Sequence, residues 1–525
     1  MKILIFILLS VSYSVSLLNT DAHSRSIVIE NSVIKNIDAA HFKTSSFNRI
    51  GEYEKYFNSP DMNMQMTSFF KQIGIKTFRL HAPVYQHTDD KFESWNSLAY
   101  YGSAPLQSIV DDLEFIKWAS KNGFKVILQI NTSNYYDKNR NKIILANEEP
   151  DVVSKIAASH ATFFNILKRN NLLSTILYVE FGNEDYIGMT TYPGTKPKVY
   201  AKIVNETIAK LKPIYPALKY CIVGQSVDFN HQVPKDKGDW TVSDWTKTVL
   251  LEIKRYEIQN DIAYVAHHAY ADEPFVGVKL AVGKRLSPND IPDYQKDWDN
   301  YKLYKTSETG SVAALKKFLS QNGLNKTLIE VNEFRRGGYN TYYNRSYMNL
   351  LANLDPWVAF LNDDKISGSL LWESFNSSDI FTKSKPWEGP MGYGVIIRKP
   401  TGFELSMPGY IYKIMDLMFT DQATILKTND LFSCALIEGN KLKLLYYNKS
   451  SEAENLSITL QGFTRKAGNL SQNVIYTDSL SDFRTNPSTG KTKQLKEDII
   501  QYSDKIKLYK IKPYSINIFT YDLTN

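Results

Sequence analysis

The feature that most limits the folds open to this chain is a repeated alternation between residues 37 and 374: a short apolar run, then a longer amphipathic stretch. The runs are "IDAAHF" (37–42), "IKTFRLHA" (75–82), "FKVILQIN" (124–131), "ILYVEFGN" (176–183), "KYCIVGQS" (219–226), "IAYVAHHAY" (262–270), "TLIEVNEF" (327–334) and "SGSLLWES" (367–374). Between them lie segments such as "LQSIVDDLEFIKWASKNG" (106–123), with apolar residues every three or four positions and a closing Asn-Gly that reads as a helix stop. Strands that are apolar throughout and separated by helices need parallel pairing with both faces covered. Eight such repeats predict a (β/α)8 TIM barrel over 37–420. An open doubly wound sheet is the rival, but no Gly-rich phosphate loop follows any of the runs. After "PGYIYKIMDLMF" (408–419), a final helix with Pro near its start, the pattern becomes short alternating strands with polar turns. Residues 421–525 therefore read as a C-terminal antiparallel β-sandwich, with 25–36 as a candidate strand of it.

The chain begins MKILIFILLSVSYSVSLL, one Lys followed by an apolar run too short to span a bilayer, and residues 1–24 read as a cleaved secretory signal. Eight Asn-X-Ser/Thr sequons, at Asn131, Asn205, Asn325, Asn344, Asn376, Asn448, Asn455 and Asn469, suit a glycosylated protein that is secreted or held in a lysosome-like compartment. Only two cysteines occur, Cys221 and Cys434, each in an apolar setting; they read as buried thiols and exclude a cysteine-built zinc or redox site. The formal charge of +7 is small for 525 residues and not gathered in a block, which argues against nucleic acid and is compatible with an acidic polysaccharide. No cofactor, no metal and no membrane association after signal cleavage are expected. The oligomeric state is not written in the sequence.

Barrel active sites lie at the C-terminal ends of the strands. The polar residues expected there are His41; Arg79 and His81; Asn131; Asn183 and Glu184; Gln225; His267, His268 and Tyr270; Glu333; and Trp372 with Glu373. Two carboxylates facing each other across one barrel mouth are what cleavage of a glycosidic bond requires, one holding a proton for the leaving oxygen and the other ionised. Glu184 and Glu333 are the best pair. Glu330 competes with Glu333; strict alternation along the strand turns Glu333 inward with Ile329 and Val331, and Glu330 toward the helix layer.

With Asn183-Glu184 closing the fourth run and Glu333 in "TLIEVNEFRRGG" closing the seventh, the chain resembles the retaining glycoside hydrolases of clan A. Within the clan, "GNE", "IVGQS", "HHAY" and the appended β-domain look most like the heparanase and β-glucuronidase group, with arabinofuranosidases and β-xylosidases close behind. The likeness covers about 37–419 and, loosely, the C-terminal domain; where that group continues past "GNE" with a Pro-containing loop, this chain has "DYIG". The resemblance implies a carbohydrate substrate, Glu184 as acid/base and Glu333 as nucleophile. It further implies Asn183 and His268 as substrate-binding residues, Arg79 and Tyr270 holding Glu333 ionised, and Trp372 as an apolar face for the sugar.

Blander readings stand beside these. Asn183 could be the N-cap of a helix opened by Glu184 and Asp185, Asp185 is expected to turn away into the following loop, Arg79 could be a purely structural barrel arginine, and Trp372 could fill the core. His267 and His268 alternate, so at most one faces the interior. The contrasting functional reading is a catalytically inactive barrel that binds glycans or serves as a secreted structural protein.

Overall fold

The computed structural model describes residues 24–48, 57–84, 95–96, 106–107, 111–137, 139–140, 142–186, 194–224, 241–270, 307–335, 345–372, 394–399, 402–464, 466–482, 495–502 and 508–524. The signal segment, Gln225, Glu373 and the sequons Asn344 and Asn376 lie outside them, as do the side chains of His81 and Tyr270. The chain forms two compact units: residues 1–35, 424–479 and 495–525 in one, 36–423 and 480–494 in the other.

The larger unit is a barrel. After β1 (Ser24–Asp38) come β2 (Thr44–Asn48), β3 (Thr77–Val84), β4 (Lys125–Ile130), β5 (Ile176–Phe181), β6 (Tyr220–Val223), β7 (Ile262–Tyr270), β8 (Leu328–Arg335) and β9 (Ile366–Leu371). Strands β2 to β9 pair in sequence order, all parallel. Helices alternate with them: α1 (Pro60–Gln72), α2 (Asp112–Asn122), α3 (Val152–Arg169), α4 (Pro197–Leu211), α5 (Asp244–Arg255), α6 (Ser307–Gln321), α7 (Tyr347–Asn362) and α8 (Tyr410–Met418). The sheet is nearly closed, with β9 returning beside β2. Gly368 makes that approach possible, because a Cβ there would lie 2.5 Å from the His41 carbonyl oxygen.

The first strand is not where the apolar pattern put it. Residues 39–42 form one helical turn instead, since the Asp38 carboxylate accepts from the Ala40 N–H (2.8 Å) and starts it. The strand follows as "TSSFN", a run too polar to be read as buried. His41 consequently precedes β2 and sits at the N-terminal end of the barrel, not at its mouth. The helix expected over 106–123 also begins late: Asp111 caps α2 through the Glu114 N–H (3.0 Å), and Gly123, at φ +78°, ends it.

Alternation on β3 decides which side chains enter the barrel. Phe78 is turned outward into an aromatic layer with Phe70 of α1, Phe115 and Trp118 of α2, and Phe124, at centroid distances of 4.7 to 6.0 Å. Each such pair contributes about 0.5 to 1.5 kcal/mol beyond its burial. With Phe78 anchored outside, Arg79 must point in.

The smaller unit adds β10 (Gln422–Thr428), β11 (Ser433–Glu438), β12 (Lys441–Tyr447), β13 (Glu454–Gln461), β14 (Lys466–Tyr476), β15 (Lys496–Tyr502), β16 (Tyr509–Ile511) and β17 (Ile516–Thr524). The strand order is β15-β14-β17-β12-β11-β10-β1-β13-β16; β1 runs parallel to β13, while the run from β15 to β10 and the β13/β16 pair are antiparallel. The sheet folds over its own core. Tyr502 on one outermost strand and Tyr509 on the other have ring centroids 5.0 Å apart, above Leu444, Tyr446 and Phe519 in the apolar centre. That makes two layers about one core, the sandwich arrangement.

Candidate active site

The C-terminal ends of β3, β4, β5, β7 and β8 bring one polar network into the barrel. Arg79 is at its centre and fully buried. Its Nε donates to Glu180 Oε2 (2.8 Å), Nη2 to Glu180 Oε1 (2.6 Å) and Asn183 Oδ1 (2.9 Å), and Nη1 to Glu333 Oε1 (2.6 Å). The β4/β5 register sets Gln129 opposite Glu180, and its Nε2 donates to Glu180 Oε1 (2.9 Å) and Asn183 Oδ1 (3.2 Å). Asn183 is therefore not a helix N-cap: its side-chain oxygen is taken by two inward donors, which turns its NH2 group the other way, and the next helix among the described residues begins at Pro197. Burial works against the Arg79 charge, but Glu180 and then Glu333 outweigh it and hold the guanidinium well above its ordinary value. Burial likewise opposes ionisation of Glu180, yet Arg79 and Gln129 pull it below the usual carboxylate range.

Glu184 is delivered by a tight turn. Gly182, at φ +72°, donates its N–H to the Ile130 carbonyl (2.7 Å), and Glu184 itself adopts φ 50°, a conformation that costs a residue with a side chain about 1 to 2 kcal/mol. Its Oε1 lies 2.8 Å from His268 Nδ1, and the same nitrogen is 3.3 Å from Glu333 Oε2. One oxygen of Glu184, one of Glu333 and a His268 nitrogen all lie within 4.8 Å of one another. The side chain of Glu184 is 18% exposed and that of Glu333 only 5%, so the first faces the mouth and the second lies deeper. Burial opposes the His268 imidazolium, but the Glu333 charge and the Glu184 contact overcome this and raise its pKa above the ordinary value. Among the described residues this is the one trio with metal-ligand spacing. Its two carboxylates are also paired within the protein, Glu333 with Arg79 and His268, and Glu184 with His268.

Both glutamates of β8 point inward, against the expectation that Glu330 faces the helices. Ala266 is opposite Glu330 and His268 opposite Glu333, so two steps on β7 match three on β8. This bulge resets the alternation between them. They nonetheless occupy different levels. Glu330 is at the base, with His41 Nδ1 at 2.6 Å and Ser367 Oγ donating to it at 2.7 Å, while Glu333 meets Arg79 and His268 at the mouth.

Asp185 does not turn away into the loop. It is buried beneath the turn, accepting from Thr132 Oγ1 (2.6 Å), Thr195 Oγ1 (2.9 Å) and the Asn183 N–H (3.0 Å). Burial outweighs those hydrogen bonds and pushes its carboxyl up to about 6. His267 faces outward, where its Nε2 pairs with Ser311 Oγ on α6 at 2.9 Å, and burial lowers its pKa to about 4. Asn131 is buried, donating to the Asn134 carbonyl (2.5 Å). Trp372 lies half-buried at the end of β9, with its carbonyl accepting from Arg335 Nη1 (3.0 Å). Cys221 and Cys434 are buried free thiols.

Sequence reasoning missed Glu180, Gln129 and the Asp185 cluster. Glu180 and Gln129 were detectable as single polar residues inside apolar runs. No local signal marks Thr132 and Thr195 as partners of Asp185, because the contacts cross between loops.

No family model matches the chain, and no curated protein matches it in sequence. Its fold is similar to that of a family 51 α-L-arabinofuranosidase from Bifidobacterium longum (TM-score 0.63, 12% identity, 94% of this chain and 99% of that one). It is also similar to the GH51 α-L-arabinofuranosidase of Thermotoga petrophila (0.62, 14%, 94% and 99%) and to a monomeric β-xylosidase from Caulobacter crescentus (0.58, 13%, 95% and 99%). At such identities the likeness establishes a shared fold: a nearly closed eight-stranded parallel barrel with a separate antiparallel sheet domain, the architecture of these glycoside hydrolases.

Proposed function

We propose that this protein is a retaining glycoside hydrolase that cleaves O-glycosidic bonds of a polysaccharide or glycoconjugate, with Glu184 as acid/base and Glu333 as nucleophile. The observation that carries the reading is the approach of the two carboxylates, within 4.8 Å at the C-terminal mouth of the barrel. Retaining enzymes hold this pair about 5 to 5.5 Å apart, whereas inverting ones leave about 6.5 to 9.5 Å for a water molecule.

In the first step Glu333 attacks the anomeric carbon while Glu184 gives its proton to the departing oxygen. In the second, Glu184 takes a proton from water, which displaces Glu333 and restores both side chains. Arg79, 2.6 Å from Glu333, orients the nucleophile through a charge-assisted hydrogen bond. His268 contacts both acids and holds their spacing through each proton transfer. The Asn183 amide, fixed by Arg79 and Gln129, offers its NH2 group to the sugar hydroxyl beside the reacting carbon, a bond that strengthens as charge develops. Tyr270 and Trp372 complete the sugar-binding surface in this proposal.

The sugar belongs to the range spanned by the likeness: a pentoside, as the names of the structural neighbours suggest, or a uronic acid polymer, as the heparanase-like motifs suggest. We place the enzyme in a secretory or lysosome-like compartment on the strength of its apolar N-terminus and sequons. The sequon residues Asn325 and Asn469 are exposed and open to glycosylation in this reading, whereas Asn131 and Asn448 are buried with their amides engaged. The test is a panel of mechanism-based fluorosugars spanning arabinosides, xylosides and glucuronides, with peptide mass spectrometry. Label on the peptide carrying Glu333 is expected; label at Glu330, or turnover with inversion, sinks the assignment.

A further inference from the structure

We infer that Asp185 is a positioning residue for Glu184, locking the turn that carries the proposed acid/base to two neighbouring loops and so holding it in its left-handed conformation. Its catalytic consequence rests on the glycosidase reading; its geometric content does not.

Three segments converge on this one carboxylate. Thr132, just past β4, donates to Oδ1, and so does Thr195, at the entry to α4; the Asn183 backbone N–H donates to Oδ2. The Asp185 carbonyl in turn accepts from the Thr195 N–H (3.1 Å), and the Thr195 carbonyl accepts from Trp245 Nε1 (2.8 Å) on α5. The turn is shaped around the carboxylate: a Cβ on residue 182 would lie 1.8 Å from Asp185 Oδ2, so only glycine fits. Asp185 is 5% exposed, and the groups that donate to its carboxylate, two threonine hydroxyls and a backbone N–H, are neutral. A buried carboxylate without a cation is costly to keep, and a residue with only a loop to begin does not need one. What lies between its two anchors is Glu184, at φ 50°. Without the brace, relaxation to negative φ would swing the Glu184 side chain away from His268 and Glu333. Asparagine can reproduce the brace, since its oxygen can take the Asn183 N–H while its NH2 group donates to the two threonine hydroxyls, which also accept.

The test compares Asp185→Ala with Asp185→Asn by crystallography and kinetics. In the Ala variant Glu184 is expected to leave positive φ and lose its contact to His268, and in the Asn variant to keep both. On glycosides with poor leaving groups, the Ala variant should lose about 10- to 100-fold in kcat/KM, which reads the first step alone. It should keep near-wild-type kcat/KM on activated aryl glycosides, and the Asn variant should recover most of the loss. If the Ala variant does not fold, Thr195→Val, which removes one of the three hydrogen bonds, should show the same leaving-group bias at smaller size. An unmoved Glu184 in the Ala crystal structure overturns the proposal, as does an equal loss on both substrate classes. A wild-type protein inactive on every glycoside would instead refute the glycosidase reading, and the crystal structures would still decide the brace.

Discussion

The buried carboxyl of Asp185 makes a quantitative prediction about stability. In the folded protein it is pushed up to about 6, against 3.8 ordinarily, because removal from water opposes its charge more than Thr132, Thr195 and the Asn183 N–H support it. Below the lower value both folded and unfolded chains hold the proton, and the stabilising contribution is complete. Between the two values the unfolded chain ionises and the folded one does not, so stability falls as pH rises; above the upper value the loss is complete. A difference of roughly two pH units corresponds to about 3 kcal/mol. Asp185→Asn removes the titration and leaves every other group in place. Urea unfolding of the two proteins from pH 4 to 7.5, followed by near-ultraviolet dichroism, should therefore show the Asn variant gaining about 2 to 3 kcal/mol on the wild type by pH 7. Parallel pH profiles would refute the reasoning. A wild type that gains on the variant as pH rises would mean that the turn stabilises the ionised form.

Three further perturbations test the network around it. Glu184→Gln should fold normally and lose about 10²- to 10⁴-fold on substrates with poor leaving groups, measured as kcat/KM across an aryl glycoside series; unchanged turnover removes Glu184 from its role. Glu180→Gln takes the bidentate partner from a fully buried arginine and sets an NH2 group against its donors, so destabilisation of about 3 to 5 kcal/mol is expected in denaturant titrations, with a fall in kcat as Arg79 re-pairs with Glu333. Gly368→Ala places a Cβ 2.5 Å from the His41 carbonyl oxygen and 2.3 Å from Glu330 Oε2, and should cost about 1 to 3 kcal/mol in unfolding free energy by overpacking the seam.

The site was legible in the sequence where local chemistry carries it. "ILYVEFGN" reads as a strand because it is apolar on both faces but for Glu180, and the polar residues at its end fall at the barrel mouth for the same reason. That logic failed for "TSSFN", whose residues are small and polar and carry no hydrophobic signal, so the first strand was placed early and His41 at the wrong end of the barrel. It failed again on β8, where period-two reasoning cannot see the bulge that turns Glu330 and Glu333 to the same side.

What the sequence by itself determined is the alternation of strand and helix, the appended β-domain, and the identities of the two acids proposed for chemistry. These follow from patterns spanning a few residues, which hydrophobic burial reads locally. What only the tertiary structure decided is how the acids are held: the distance between Glu184 and Glu333, His268 between them, Arg79 shared with Glu180, and Asp185 folded back under its own turn. Each of these contacts joins different strands or loops. Their geometry is set by register, a bulge and a left-handed residue, none of which leaves a mark on composition or periodicity.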